Sequence, residues 1–288
     1  MLKKITTLLF AATIATSPAL ADSTTTQSKG KILLVASSAN ELTFKDGRKH
    51  PTGYYLPELS TPAQEFIKAG YEVVVATPDG NTPALDKNSL TESLFTDGKT
   101  GLDQAMRFVL THPSMQKPKR LGDVVKNGLG SFDALYVPGG HAPMIDLMQN
   151  ADLGKALKHF HENNKVTAML CHGPIAFSAA MKNSKAFRQA MVNGNHEQAK
   201  KLASDWPYKG YNMTVYSTQE EYGVEDWLKA KIEFYMEDAL RNAGANVTVG
   251  KPDQPYVVVD RELVTGQNPF SDHQLAKAVL EKLAEQKK

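Results

Sequence analysis

Short apolar runs, each bounded by turn residues, alternate along the chain with longer stretches of mixed polarity. Lys31 to Ser37 (KILLVAS), Tyr71 to Ala76 (YEVVVA), Phe132 to Val137 and Val166 to Leu170 are nearly continuous in apolar side chains. That pattern predicts strands buried on both faces. Asn212 to Tyr216 and Val247 to Val249 read as further strands. Tyr256 to Asp260 and Leu263 to Thr265 form a hairpin-like pair around Asp260-Arg261. Between them, helices are predicted from Thr61-Pro62 to Ala69, with Gly70 as the stop, and over Leu102 to Leu110, Leu153 to His161, Ile175 to Met181, Ser184 to Ala203, Trp227 to Ala243 and Ser271 to Ala284. Asn40 to Pro57, Thr77 to Asn88 and Ser217 to Tyr222 read as loops, and His112 to Gly130, polar with two prolines, as a surface insertion.

Buried strands alternating with helices define an α/β fold, a mostly parallel sheet with helices on both faces. In such sheets ligands bind beyond the carboxyl ends of the strands. Three features fall at such ends or in loops on that side: Gly139-Gly140-His141, Cys171-His172 and Glu220-Glu221. The amino terminus has a different character. Lys3 and Lys4 precede a short apolar run, Ile5 to Ile14, and Pro18-Ala19-Leu20-Ala21 ends in an A-x-A-like site. Residues 1–21 therefore read as a secretory signal peptide, residues 22–30 as a flexible lead-in, and residues 31–288 as one domain. The expected location is periplasmic or secreted, and no stretch is long enough for a membrane span.

Composition narrows the chemistry. A net charge of +2 gives no case for nucleic acid. The eight histidines are scattered, without the spaced ligand pairs of a zinc site, so no metal and no cofactor are expected. The single cysteine, Cys171, sits where an apolar strand meets His172-Gly173-Pro174. Lone cysteines are commonly buried packing residues. At a strand–helix junction, however, a thiol stands in the position of a nucleophile elbow, and a helix amino terminus there favours the thiolate. Gly139 and Gly140, together with the N–H of His172, offer donors for an oxyanion, although two glycines after a strand are more often a turn. His172 is a candidate base, but sequence neighbours face each other only at a sharp bend. Glu58 and Glu220-Glu221 read equally well as carboxylates near helix amino termini.

Ala168-Met169-Leu170-Cys171-His172-Gly173-Pro174, Val137 to His141 and Leu263 to Ser271 together resemble the PfpI-type branch of the class I glutamine amidotransferase-like superfamily. That superfamily includes the Parkinson-disease-associated protein deglycase, and the chain is most similar to the heat-shock chaperone/glyoxalase III subgroup. The resemblance implies a flavodoxin-like sandwich, a Cys171 nucleophile beside His172, and a protonated Glu58 hydrogen-bonded to the thiolate. It also implies an acidic residue orienting the His, best matched by Glu221 with Glu220 second, and an oxyanion turn at Gly139 and Gly140. Homodimers are common among such relatives. Some carry a metal site near the first helix, for which this sequence has no matching ligand set. The segments near 112–130 and 183–209 are departures from the family pattern, expected to reshape the pocket.

Three functions fit these expectations. The first is a glutathione-independent glyoxalase of the D-lactate dehydratase type, converting methylglyoxal to lactate, or a related deglycase acting on small reactive carbonyls. The second is a cysteine peptidase or amidase using Cys171, His172 and an acid as a triad. The third is a redox-sensing or holdase stress chaperone.

Overall fold

A computed structural model describes residues 28–287; the predicted signal peptide and residues 22–27 of the lead-in lie outside the described residues. Seven strands form the central sheet: β1 (Gly30–Val35), β2 (Tyr71–Thr77), β3 (Lys119–Arg120), β4 (Ala134–Val137), β5 (Val166–Leu170), β6 (Val257–Asp260) and β7 (Leu263–Gly266). Their order is β6-β7-β5-β4-β1-β2-β3, and every pairing is parallel except that of β6 with β7. The α/β sandwich with a mostly parallel sheet predicted from the sequence is the fold that forms.

Period-2 alternation along each strand divides the core. Leu33, Val35, Leu135, Val137 and Met169 face one layer, built from the helix Ala151–Glu162, the segment Gly173–Ala180 and the helices Ser184–Val192 and Met236–Ala243. Ile32, Leu34, Val73, Ala168 and Leu170 face the other, built from the helices Leu56–Lys68, Lys99–Thr111 and Asp272–Glu285. The chain leaves β1 in opposite directions on its two sides, so the carboxyl ends of β1, β4 and β5 border a crevice at the switch point.

Several elements differ from the sequence expectation. The first helix opens at Leu56, not at Thr61-Pro62, and runs to Lys68 with Pro62 inside it. Pro57 fits the first turn, where an N–H has no intrahelical acceptor. Pro62 has no N–H to offer the carbonyl of Glu58, one turn earlier, and the hydroxyl of Tyr136 donates to that carbonyl instead. This substitution lets an interior proline stand and puts Glu58 in the first helical turn.

His112 to Gly130 is not a surface insertion. It supplies edge strand β3 and two short helices, Pro113–Gln116 and Leu121–Asn127, with Met115, Leu121 and Val124 buried. Its prolines mark element ends rather than break a pattern. Ser184 to Ala203 forms two helices, Ser184–Val192 and His196–Leu202, that bury Phe187, Met191 and Ala199. The Asn212 strand shrinks to Asn212–Met213, paired with Asn246–Val247 outside the main sheet. Ser217 to Tyr222 is not a loop: Ser217 caps a helix over Thr218–Leu228, which ends at Lys229 in the left-handed region (φ 50°). A single helix from Trp227 to Ala243 therefore does not form; the second begins at Met236. The Asn40 to Pro57 loop contains a small ribbon, Glu41–Thr43 with Lys49–Pro51. Among the described residues, no helix is long and apolar enough to cross a membrane.

The Tyr136 hydroxyl yields a prediction. Tyr136→Phe strands the buried Glu58 carbonyl without a donor. It should lower unfolding stability by about 1–3 kcal/mol, read as a shifted midpoint in urea. An unchanged midpoint would mean that the carbonyl finds another partner.

Candidate active site

Strand β5 runs straight into the site. Leu170 is its last residue, and Cys171 follows with φ 60°, in the left-handed region that a side chain rarely adopts. The turn is over-determined by its neighbours. The Cys171 N–H donates to the carbonyl of Gly266 at 2.9 Å, and its own carbonyl accepts from the N–H of Tyr216 at 2.9 Å. Gly173 permits the sharp exit, since a Cβ there would lie 2.8 Å from the Val137 carbonyl oxygen. The segment Gly173–Ala180 that follows is a tight, fully buried 3₁₀ stretch rather than the expected α-helix.

The bend settles how adjacent residues can meet. Cys171 Sγ lies 3.1 Å from Nδ1 of His172. Nε2 of the same ring lies 2.7 Å from Oε2 of Glu221. A carboxylate only accepts, so Nε2 carries the proton and Nδ1 turns its lone pair to sulfur. Tyr216 stacks on the imidazole with ring centroids 4.6 Å apart. Glu221 projects from the first turn of the Thr218–Leu228 helix, and its second oxygen is 2.9 Å from Nε2 of His141.

Glu220, the alternative third acid, does other work. It closes a capping box with Ser217 and accepts from the amides of Gln267 and Asn268, each at 2.8 Å. The Thr265-Gly266-Gln267-Asn268-Pro269 segment thus anchors the start of the helix that presents Glu221.

Glu58 lies close to the nucleophile, since a Cβ on Gly139 would meet both its Oε2 and Cys171 Cβ, and its Oε1 is buried without a hydrogen-bond partner. Its Oε2 accepts the N–H of Gly139 at 2.9 Å. That contact corrects one expectation: the Gly139 N–H is spent on Glu58 and is not an oxyanion donor. Gly140 and His172, which line the cavity beside Cys171, are left as the donors near the nucleophile. Gly139 has to be glycine because a Cβ would fall 2.5 Å from Glu58 Oε2 and 2.7 Å from Cys171 Cβ. Gly140 (φ 80°) has to be glycine because a Cβ would overlap the Gly53 carbonyl.

Burial sets the charges. Desolvation raises Glu58 to about 8, against the opposing pull of the sulfur and Gly139 contacts, so it holds its proton at neutral pH. Desolvation also pushes the Cys171 thiol well up, and an ionised Glu58 would push it further. A protonated Glu58 removes that repulsion. The low thiol pKa expected from a helix dipole is therefore not what this site provides; the resting thiol gives up its proton to a neighbouring base. His172 can take it: burial and the nearby His141 hold it below its ordinary range, against the pull of Glu221, so it rests neutral. At His141 burial also acts downward, but the Glu221 carboxylate outweighs it and the net shift is upward. Burial opposes ionisation of Glu221, yet the two imidazoles together hold it far below the usual carboxylate range.

Glu58, Gly140, His141, Cys171, His172 and Tyr216 line a cavity of about 300 Å³, and Glu221 stands behind the two imidazoles. Its chemical end is Cys171, His172 and Glu58, and its outer wall includes Val224, Leu228 and Trp227, a residue that is 63% exposed. The fold brings together Cys171, His172, Glu58, Glu221, Gly139 and Gly140, and excludes Glu220. Sequence reasoning gave His141 no role and passed over Tyr216. His141 had one signal, its place after two glycines at a strand end. Its partner is 80 residues away, which no spacing rule connects.

The buried carboxyl of Glu58 makes stability depend on pH. The folded protein keeps this proton up to about 8, whereas the unfolded chain releases it near 4.5. The folded state therefore loses stability relative to the unfolded state as pH rises from about 4.5 to about 8. Glu58→Gln cannot titrate, so its stability relative to wild type should climb across that window, by on the order of several kcal/mol. Thermal melts of both proteins at stepped pH check this. A constant difference would place the ionisation of Glu58 at an ordinary carboxylate pH.

Comparison with known proteins agrees with this architecture. The Staphylococcus aureus protein/nucleic acid deglycase HchA is 25% identical over 264 residues, covering 88% of this chain and 80% of its own. The crystal structure of Candida albicans glyoxalase III superposes with a TM-score of 0.66 at 22% identity, covering 88% of this chain and 96% of that one. The Francisella tularensis Rapid Encystment Protein 24 kDa gives 0.67 at 24% identity, covering 88% and 99%. These two structural likenesses concern the fold. The family described as ThiJ/PfpI family-like matches residues 50–225, more than half of the sequence, and the chain belongs to that family.

Proposed function

We propose that this protein is a cysteine-dependent, glutathione-independent glyoxalase that converts small 2-oxoaldehydes such as methylglyoxal to 2-hydroxy acids, with deglycation of reactive-carbonyl adducts as a variant of the same chemistry. The observation that carries the reading is the contact of Cys171 Sγ with the Nδ1 lone pair of His172, at 3.1 Å, on a cavity that the buried carboxyl of Glu58, held protonated by burial, also lines. The deglycase relative and the fold shared with a glyoxalase III support it.

Each step has a group to perform it. His172 Nδ1 takes the thiol proton as sulfur attacks the aldehyde carbon, and the oxygen becomes an oxyanion facing the N–H groups of Gly140 and His172. That oxygen is protonated to give a hemithioacetal. The proton on the former aldehyde carbon then moves to the adjacent carbonyl carbon through an enediol, with His172 or Glu58 as the shuttle. The product is a 2-hydroxyacyl thioester on Cys171. Water cleaves it, returning the thiol and releasing the hydroxy acid. The sum is one 2-oxoaldehyde and one water to one hydroxy acid, with no external reductant.

One observation also favours acyl transfer. Sγ, the His172 ring and Glu221 are connected as in a Cys-His-acid triad, which would serve an amidase or peptidase. The enclosed cavity of about 300 Å³ suits a small molecule better than a polypeptide.

Lactate formation from methylglyoxal without glutathione separates these readings. Freshly reduced wild type should turn over. Cys171→Ala should lose at least roughly a thousandfold in rate, and Glu58→Gln about a hundredfold or more. Full turnover by Cys171→Ala would remove the cysteine mechanism. No turnover by wild type, with hydrolysis of aminoacyl reporters, would favour the amidase.

A further inference from the structure

We infer that His141, His172 and Glu221 form a binding site for a zinc-class divalent cation, and that filling it switches the cysteine chemistry off. The three side chains bring one ligand atom each within 4.8 Å of one another, and they come from three different elements. Two imidazoles and one carboxylate are a donor set that zinc takes, with a further position left open. The site differs in place from the one near the first helix that the family resemblance had raised.

Three features argue that these groups are prearranged for an ion. The rings of His141 and His172 lie with centroids 4.1 Å apart, and both nitrogens turned to Glu221 are Nε2. The elements behind the donors are stiff. His141 follows Gly140, which is locked against the Gly53 carbonyl; His172 follows the left-handed Cys171; Glu221 rides on a helix fixed by a capping box. Finally, His141 and His172 line the cavity, which gives an ion a way in.

The present nitrogen–oxygen separations are 2.9 and 2.7 Å. Ligands around a tetrahedral zinc with bonds of about 2.0–2.1 Å stand roughly 3.3 Å apart. An ion therefore needs an opening of about half an ångström, within reach of a carboxylate at the end of a Glu side chain. Proton balance follows. Both imidazoles give their Nε2 lone pair to the ion. His141 releases its Nε2 proton to solvent and keeps the one on Nδ1, while neutral His172 shifts its single proton from Nε2 to Nδ1, where it donates to sulfur. With Nδ1 protonated, His172 cannot accept the thiol proton, so binding and catalysis exclude each other.

The test measures binding directly and so does not depend on the glyoxalase reading. Zinc is titrated calorimetrically into the full chain in wild-type, Cys171→Ala and His141→Asn forms, with magnesium as a control. Cobalt(II) is added in parallel and followed by its visible spectrum. The expected result is one zinc per chain in wild type and in Cys171→Ala, affinity at least roughly tenfold weaker in His141→Asn, and no heat with magnesium. The expected cobalt spectrum is tetrahedral, without a thiolate charge-transfer band. Circular dichroism establishes that His141→Asn is folded; were it not, the wild-type cobalt spectrum still decides. Absence of zinc binding to wild type, or equal affinity in folded His141→Asn, would overturn the proposal and leave a hydrogen-bonded triad only. Zinc binding in a protein with no lactate turnover would retain the site and reject the glyoxalase.

Discussion

The active-site geometry depends on a backbone torsion. Cys171 stands at φ 60°, and this one angle ends strand β5, exposes sulfur to the cavity and swings His172 onto the same side as its neighbour. A residue held there costs on the order of 1–3 kcal/mol. The surrounding structure supplies the restraint: the Gly266 carbonyl and the Tyr216 amide grip both polar groups of the cysteine backbone, and Gly173 clears the path out. Because β7 and the Thr214–Tyr216 segment make those grips, distant parts of the chain meet at the nucleophile.

A second constraint is electrostatic. Five titratable side chains meet in the cluster around Cys171 and His172, and their charges nearly cancel. Glu58 keeps its proton, Cys171 and His172 are neutral at rest, and Glu221 and His141 form the one ionised pair. An unpaired buried charge would be expensive; here the only buried anion of the group has two nitrogen donors. Burial, elsewhere a source of stability, is at Glu58 what keeps a carboxyl uncharged near the nucleophile.

Much of this was legible in the chain. The strands of the central sheet appeared as apolar runs because they are buried on both faces, and the junction at Cys171 was visible as strand, turn residue and proline in succession. What could not be read falls into two kinds. Pro62 looked like a helix start because its missing N–H is normally fatal inside a helix; the rescuing hydroxyl of Tyr136 lies 78 positions from the Glu58 carbonyl it satisfies and has no local signature. The partnership of His141 with Glu221 is likewise a product of topology. By contrast, the helix at Thr218 announced itself through Ser217 and Glu220 at capping-box spacing, a signal that was present and overlooked in favour of a loop.

The two neighbouring acids illustrate what that helix start controls. Glu220 looks down at Gln267 and Asn268, while Glu221 looks across at two imidazoles, and the difference between them is a rotation of about 100° per residue around one axis. Their roles are assigned by phase rather than by chemistry, since both are glutamates. A residue gained or lost between Tyr216 and Glu220 would turn the wrong carboxylate toward His172 without altering any side chain in the site. This short helix start, with Ser217 and Glu220 buried, behaves as a spacer of fixed length, intolerant of the insertions that connections between elements usually accept.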